Sequence, residues 1–216
     1  MKRRTGLIFD LDGTLIDSRG DLTTAVNLMR KSYGLPPLPV DRVVAFVGNG
    51  IGSLVRRAVT DAPDLAEAEA IDRMKQFYLQ HLLDQTCLYP GVKAGLTAFR
   101  AAGIPLAVFT NKPEDATRTT LASLGVGELF SAIVGSGGKF PLKPAPDGLL
   151  HIVRALQIEP AASWMFGDHY TDLEAGRRAG LRRCLARYGF GEPRMEQFDA
   201  AVDSFADFQT LVLAAN

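Results

Sequence analysis

A chain of 216 residues, 47% hydrophobic and 22% charged, can bury one large core, or a core with a small appendage. Its 24 basic and 24 acidic side chains cancel, so net charge gives no reason to expect nucleic acid or an anionic membrane as partner. Cys87 and Cys184 lie far apart in no metal-ligand spacing, the apolar run after the basic start stops at Asp10, and no stretch reaches the length of a membrane span; free thiols in a soluble, cytoplasmic protein are expected.

The first β-rich run is Leu7-Ile8-Phe9. From there to about residue 86 the pattern is helical. Leu22, Ala25, Val26, Met29 and Tyr33 line one helix face, with Gly34 as a stop. Val43, Val44 and Val47 continue after a proline break, followed by Leu54, Val55, Ala58 and Val59, then Ile71, Met74, Tyr78 and Leu82. Four short amphipathic helices predict a small bundle. After Tyr89-Pro90-Gly91 the rhythm changes. Helices over 92–102, 115–124, 147–156 and 172–179 alternate with strands over 105–110, 132–134, 164–166 and 183–186. This alternation predicts a parallel α/β sheet to which the first strand belongs. The expected fold is α/β: a Rossmann-like doubly wound core from residues 1–16 and 87–216, with a helical cap, residues 17–86, inserted after the first strand.

In such sheets ligands bind beyond the carboxyl ends of the strands. The first strand ends in Asp10-Leu11-Asp12-Gly13-Thr14. Residues i and i+2 of an extended segment point the same way, so both carboxylates can enter one cleft, where they repel unless a cation or a proton intervenes. Thr110 and Asn111 follow the second strand, with a hydroxyl and an amide suited to phosphate oxygens. Lys143 follows the third strand, in a loop stiffened by Pro144 and Pro146, and the fourth ends in Gly167-Asp168-His169-Tyr170-Thr171-Asp172. A lone D-x-D is usually a turn or a helix cap, and Asp172 alone could cap the helix after it. Four aspartates, a lysine and a threonine at successive strand ends are a different matter. Oxygen ligands of this kind favour a hard cation such as Mg²⁺.

FDLDGTLIDS, VFTNKP, KPAPD and GDHYTDLEAGRRAG resemble the four signature motifs of the haloacid dehalogenase superfamily, with the insertion where that superfamily carries its helical C1 cap. Within it, GLPPLPVDRVVAFVGNGIGSLVRRAV and TNKP resemble bacterial phosphoglycolate phosphatases. The resemblance implies that Asp10 attacks phosphorus and forms an aspartyl-phosphate, and that Asp12 protonates the leaving alkoxide and later deprotonates water. It further implies Mg²⁺ on Asp10, the Asp12 carbonyl and Asp168, with Asp172 in support, and Thr110 and Lys143 clamping the phosphate with amides around Leu11, Asp12 and Asn111. An aspartate at position 12 favours phosphate-ester chemistry over dehalogenation.

The expected substrate is a small phosphomonoester, foremost 2-phosphoglycolate. A phosphomutase of the β-phosphoglucomutase type and a non-catalytic, receiver-like phosphate-binding domain stay open. Gly48-Asn49-Gly50, Arg56 and Lys112 are candidates for reading the rest of the substrate, with Arg19 and Arg57 behind them, and hinges are expected near Asp17 and residues 84–88. His169 and Thr171 depart from the usual fourth motif, and His169 reads foremost as a solvated loop residue. His81 reads as half-buried packing and Trp164 as core. The chain is expected to be a monomer or homodimer.

Overall fold

The computed structural model describes residues 4–214; the first three residues of the basic start and the last two of the chain lie outside it. Six parallel strands form the central sheet: β1 (Leu7–Phe9), β4 (Leu106–Pro113), β5 (Ala132–Ser136), β6 (Trp164–Gly167), β7 (Arg182–Ala186) and β8 (Ala200–Val202). Their spatial order is β5-β4-β1-β6-β7-β8, so the chain starts in the middle and winds outward in both directions. The doubly wound parallel core expected from the alternation is present.

β1 explains itself. Its three residues are all fully buried, because the sheet is covered on both faces. Leu7 and Phe9 face one layer with Phe99, Phe166, Phe205 and Phe208; Ile8 faces the other with Phe109, Leu149, Ile152 and Met165. Helices α5 (Val92–Ala101) and α9 (Phe205–Ala214) supply the first layer, and α7 (Asp147–Leu156) and α8 (Tyr170–Arg178) the second. α6 (Glu114–Ser123) packs along β4 and β5.

β8 and α9 are absent from the pattern read along the sequence. Three residues, Ala-Ala-Val, are too short for a periodicity to show. The signal for α9 was there: Phe205, Phe208 and Val212 recur at helical spacing and are all buried. Phe208 stacks on Phe166 with ring centroids 4.0 Å apart. Phe208→Ala is expected to cost about 3–5 kcal/mol of unfolding free energy, measured in urea, because it empties the centre of this layer.

Between β1 and β4 stand α1 (Arg19–Ser32), α2 (Val40–Val44), α3 (Ile51–Ala58) and α4 (Glu67–Gln80). Each predicted stripe forms a helix. Tyr33, Val47, Val59 and Leu82 fall just beyond their helices, but all still pack into the shared apolar cluster. That cluster is separate from the two sheet layers, and among the described residues Ala116 of α6 alone joins it from the core side. A fully buried arginine, Arg30, ties its far end together through Asp61 Oδ2 at 2.7 Å and the carbonyls of Ala58 and Pro36.

The helical segment connects to the sheet through a second, two-stranded ribbon that the sequence reading did not foresee: β2 (Ile16–Asp17) runs antiparallel to β3 (Cys87–Leu88). Asp21, fully buried in the first turn of α1, accepts hydrogen bonds from Gln85 N (3.0 Å), Thr86 N (2.8 Å) and Thr86 Oγ1 (2.6 Å). One carboxylate thus holds both connections side by side. Among the described residues no helix is long and apolar enough to cross a membrane.

Candidate active site

Strand register brings the first set of residues together. Phe9 pairs with Val108 on one side and Phe166 on the other, so Asp10, Thr110 and Asp168 emerge at neighbouring carboxyl ends. The β4–β5 ladder breaks its register between Phe109 and Pro113, and the break spans Thr110, Asn111 and Lys112. Such irregularities turn side chains out of the sheet plane. After Asp10 the chain turns sharply. Leu11 O accepts from the amides of Thr14, Leu15 and Ile16, and Gly13 adopts φ +81°. A Cβ on Gly13 would lie 2.0 Å from Asp168 Oδ2, so this position requires glycine for space as well as backbone.

Asp10, Asp168 and Asp172 are buried, and each offers a carboxylate oxygen within 4.8 Å of the others. Lys143 reaches between them, 2.8 Å from Asp10 Oδ1 and 2.6 Å from Asp172 Oδ1. The contact with Asp10 is an ion pair without hydrogen-bond alignment, and among the described residues Asp10 Oδ1 finds no hydrogen-bond donor. Asp168 is better held: Thr14 Oγ1 donates to Oδ1 (3.2 Å), and the amides of Phe190 and Gly191 donate to Oδ2 (3.0 and 2.7 Å). Burial and the negative neighbours Asp10 and Asp172 still push the Asp168 carboxyl up to about 8. Burial and Asp172 push Asp10 to about 6, against the pull of Lys143. Burial works against the Lys143 ammonium, but Asp10 and Asp172 outweigh it and hold its pKa above the usual lysine value. One lysine does not neutralise three buried carboxylates. The donor set, all hard oxygen, suits a divalent cation.

Asp172 does cap α8, but from the third position: its Oδ2 accepts from His169 N at 3.0 Å while Oδ1 holds Lys143. With both oxygens engaged it supports the cluster from behind. His169 is not a solvated loop residue. It is 8% exposed, its ring caps α8 against Thr171, and its ring face lies under Gly48, where a Cβ would come within 2.7 Å. Burial pushes its imidazole down to about 4, so it is neutral. His81 is only partly buried and pairs with Asp84 at 2.7 Å, whereas Trp164 is core as expected.

Asp12 lies further out. Its Oδ1 accepts from Ser18 Oγ (2.6 Å) and from Lys112 Nζ (3.0 Å), which leaves Oδ2 toward the cleft. Ser18 and Thr14 are positioning residues that the sequence reading passed over, although both sit inside the first motif. Lys112 is buried, and its ammonium also donates to the Tyr78 hydroxyl of α4. The Asn111 side chain is already engaged. Its Nδ2 donates to Gly48 O (2.9 Å) and Lys143 O (3.0 Å), and its Oδ1 accepts from Lys143 N (2.7 Å). A side-chain contact from Asn111 to phosphate therefore does not fit; only its backbone amide stays a candidate.

The Gly48-Asn49-Gly50 loop meets the core here. Besides the Asn111 bond, Asn49 Nδ2 donates to Tyr170 Oη at 2.8 Å. Gly48→Val would strain a φ of +109° and drive into the His169 ring. It is expected to lower kcat/KM by about ten- to a hundredfold, measured in steady state, by displacing the loop from its docked position. Arg56 does not converge with the rest: it is exposed and pairs with Glu67 at 3.4 Å. Arg19 pairs with Asp17 at 2.6 Å, and Arg57 reaches Asn49 rather than the cleft. An arginine on an amphipathic helix is most easily satisfied by a neighbouring acid, and spacing alone cannot distinguish the two.

Between the acidic cluster and the helices lies a cavity of about 60 Å³, walled by Asp10, Asp12, Thr110 and Lys112 below and by Leu22, Ile51, Leu54, Met74 and Tyr78 above. A family model for haloacid dehalogenase-like hydrolases matches residues 5–180. The phosphoglycolate phosphatase of Chromobacterium violaceum is 39% identical over 98% of this chain and 98% of its own length. A plasmid-borne phosphoglycolate phosphatase of Cupriavidus necator is 35% identical over 98% of this chain and 94% of its own. The crystal structure of a predicted phosphoglycolate phosphatase from Haemophilus somnus superposes with a TM-score of 0.91 at 31% identity, covering 98% of this chain and 99% of that one. The chain belongs to the haloacid dehalogenase-like hydrolase family, as a phosphoric monoester hydrolase.

Proposed function

We propose that the protein hydrolyses 2-phosphoglycolate through an aspartyl-phosphate formed on Asp10. The observation that carries this reading is the convergence of Asp10, Asp12, Thr110 and Asp168 on one cavity of about 60 Å³, with Lys143 paired to Asp10 behind it. The full-length phosphoglycolate phosphatase relatives support the same substrate.

In this mechanism an Asp10 oxygen attacks phosphorus as the ester P–O bond breaks, and Asp12 Oδ2 delivers a proton to the departing alkoxide. Asp12 then takes a proton from water, whose oxygen attacks the phosphoryl group and releases Asp10 and inorganic phosphate. Lys143 and the Thr110 hydroxyl steady the equatorial oxygens, where negative charge collects. Asp10, Asp168 and the Asp12 carbonyl suit Mg²⁺, which supplies charge neutralisation at the phosphoryl oxygens. Residues 17–86 act as a cap that opens on the β2–β3 ribbon to admit substrate and closes to exclude water.

The test is Mg²⁺-dependent phosphate release from a panel of phosphomonoesters. Asp12→Asn is expected to cost about 10²–10⁴-fold in kcat/KM on 2-phosphoglycolate, which reports the step that expels the alcohol, and much less on p-nitrophenyl phosphate, whose phenolate leaves without a proton. Equal losses on both would remove Asp12 from the acid role. Isomerisation of a sugar phosphate without phosphate release would replace hydrolysis by a mutase reaction.

A further inference from the structure

Resting on the phosphatase reading, we propose that Lys112 of the core and Tyr78 of the helical cap together form the cradle for the substrate's carboxylate. A small substrate with a second anionic group needs a cation away from the one that serves phosphate. Lys143 is taken, buried between Asp10 and Asp172. Arg19 of α1 and Arg56 and Arg57 of α3 are turned to Asp17, Glu67 and Asn49, and Arg30 to Asp61. Among the described residues that line the cavity, Lys112 is the one lysine or arginine.

The geometry fits the task. Lys112 has three N–H donors. Among the described residues two have partners, Asp12 Oδ1 at 3.0 Å and the Tyr78 hydroxyl, and the third is left for a ligand in the cavity. The Tyr78 hydroxyl accepts from Lys112, so its own proton is free to donate. Burial keeps that hydroxyl protonated, its pKa pushed up to about 12. The Lys112 ammonium also lies 4.7 Å from the centre of the Tyr78 ring, which fixes it over the cap side chain. In 2-phosphoglycolate the carboxyl carbon is two bonds from the bridging oxygen that Asp12 would protonate. A cation 3.0 Å from Asp12 therefore stands where that carboxylate must lie. The apolar side chains of the cap-side wall, Leu22, Ile51, Leu54 and Met74, offer it no polar partner. Because one donor comes from the core and the other from α4, the carboxylate also bridges the two and favours the closed arrangement.

The experiment compares kcat/KM for 2-phosphoglycolate with kcat/KM for ethyl phosphate, which carries a methyl in place of the carboxylate, on the Mg²⁺-loaded full-length enzyme. Wild type is expected to favour 2-phosphoglycolate strongly. Lys112→Met should reduce that preference about 10–100-fold, chiefly through the KM for 2-phosphoglycolate. Lys112→Arg should restore part of it, and Tyr78→Phe should reduce it about three- to tenfold. A Lys112→Met variant that loses both substrates equally overturns the proposal, since Lys112 would then act only on Asp12. Should Lys112→Met not fold, a Tyr78→Phe enzyme with an unchanged ratio overturns it instead. Wild type that turns over both substrates equally well removes the carboxylate cradle but leaves the phosphatase; wild type that releases phosphate from neither removes both.

Discussion

Asp10→Asn is expected to lower kcat for phosphomonoesters by at least about 10⁴-fold, because the amide cannot form the phosphoenzyme and no second nucleophile shares its place. The loss has to be separated from misfolding, and the site itself provides the control. In the metal-free protein Asp10 sits buried against Asp168 and Asp172, and burial together with Asp172 pushes its carboxyl up to about 6. A neutral amide of the same shape relieves that repulsion, while Lys143 keeps Asp172 as its partner at 2.6 Å. The metal-free Tm of Asp10→Asn should therefore match or exceed that of wild type. Undiminished turnover in this variant would remove Asp10 from the nucleophile role; lost turnover with a much lower Tm would say nothing for it.

Mg²⁺ binding near pH 7 is expected to expel about one proton. Asp168 has its carboxyl pushed up to about 8 by burial, Asp10 and Asp172, so at pH 7 the metal-free site holds a proton that a cation must displace. Both folded values lie above the unfolded carboxyl near 3.8. The folded protein thus binds more protons than the unfolded chain from about pH 4, so metal-free stability falls as pH rises, less steeply above about 6, and levels off above about 8. Apparent Mg²⁺ affinity moves the other way, rising about tenfold per pH unit between pH 6 and 8 and levelling above. Calorimetry at pH 7 in two buffers of different ionisation enthalpy reads the proton directly. Identical heats in both would contradict the protonated Asp168.

Much of this was legible because strands carry their chemistry at their ends. Leu7-Ile8-Phe9 followed by Asp10, and Trp164-Met165-Phe166 followed by Gly167 and Asp168, are short apolar runs that stop at an acid, and parallel pairing then brings the acids together. The helical stripes were equally plain, since each needed only its own spacing. What stayed hidden depends on partners distant in sequence. The β2–β3 ribbon exists only because Ile16 meets Leu88, and two residues on each side show no period. His169 and Asn111 looked like solvent-facing or ligand-facing groups, but both meet Gly48 of the helical segment, more than 60 residues away from Asn111. Lys112 could be marked as a candidate from its position after Thr110, but nothing in the sequence tied it to Tyr78.

The ribbon has one more consequence. With Ile16 and Leu88 as cross-strand partners, the chain leaves the core and returns to it at adjacent points, and Asp21 fastens the two passages together. The helices between them are thus a replaceable cassette: exchanging them for another segment that starts and ends as neighbouring strands leaves the loop closure of the sheet unchanged. Asp10, Asp168, Lys143 and Thr110 all lie outside the cassette, while Tyr78 and Gly48 lie inside it. On the proposed reading a new cassette would replace Tyr78, the cap-side half of the carboxylate cradle, and leave Lys112 and the phosphate-facing residues of the core in place.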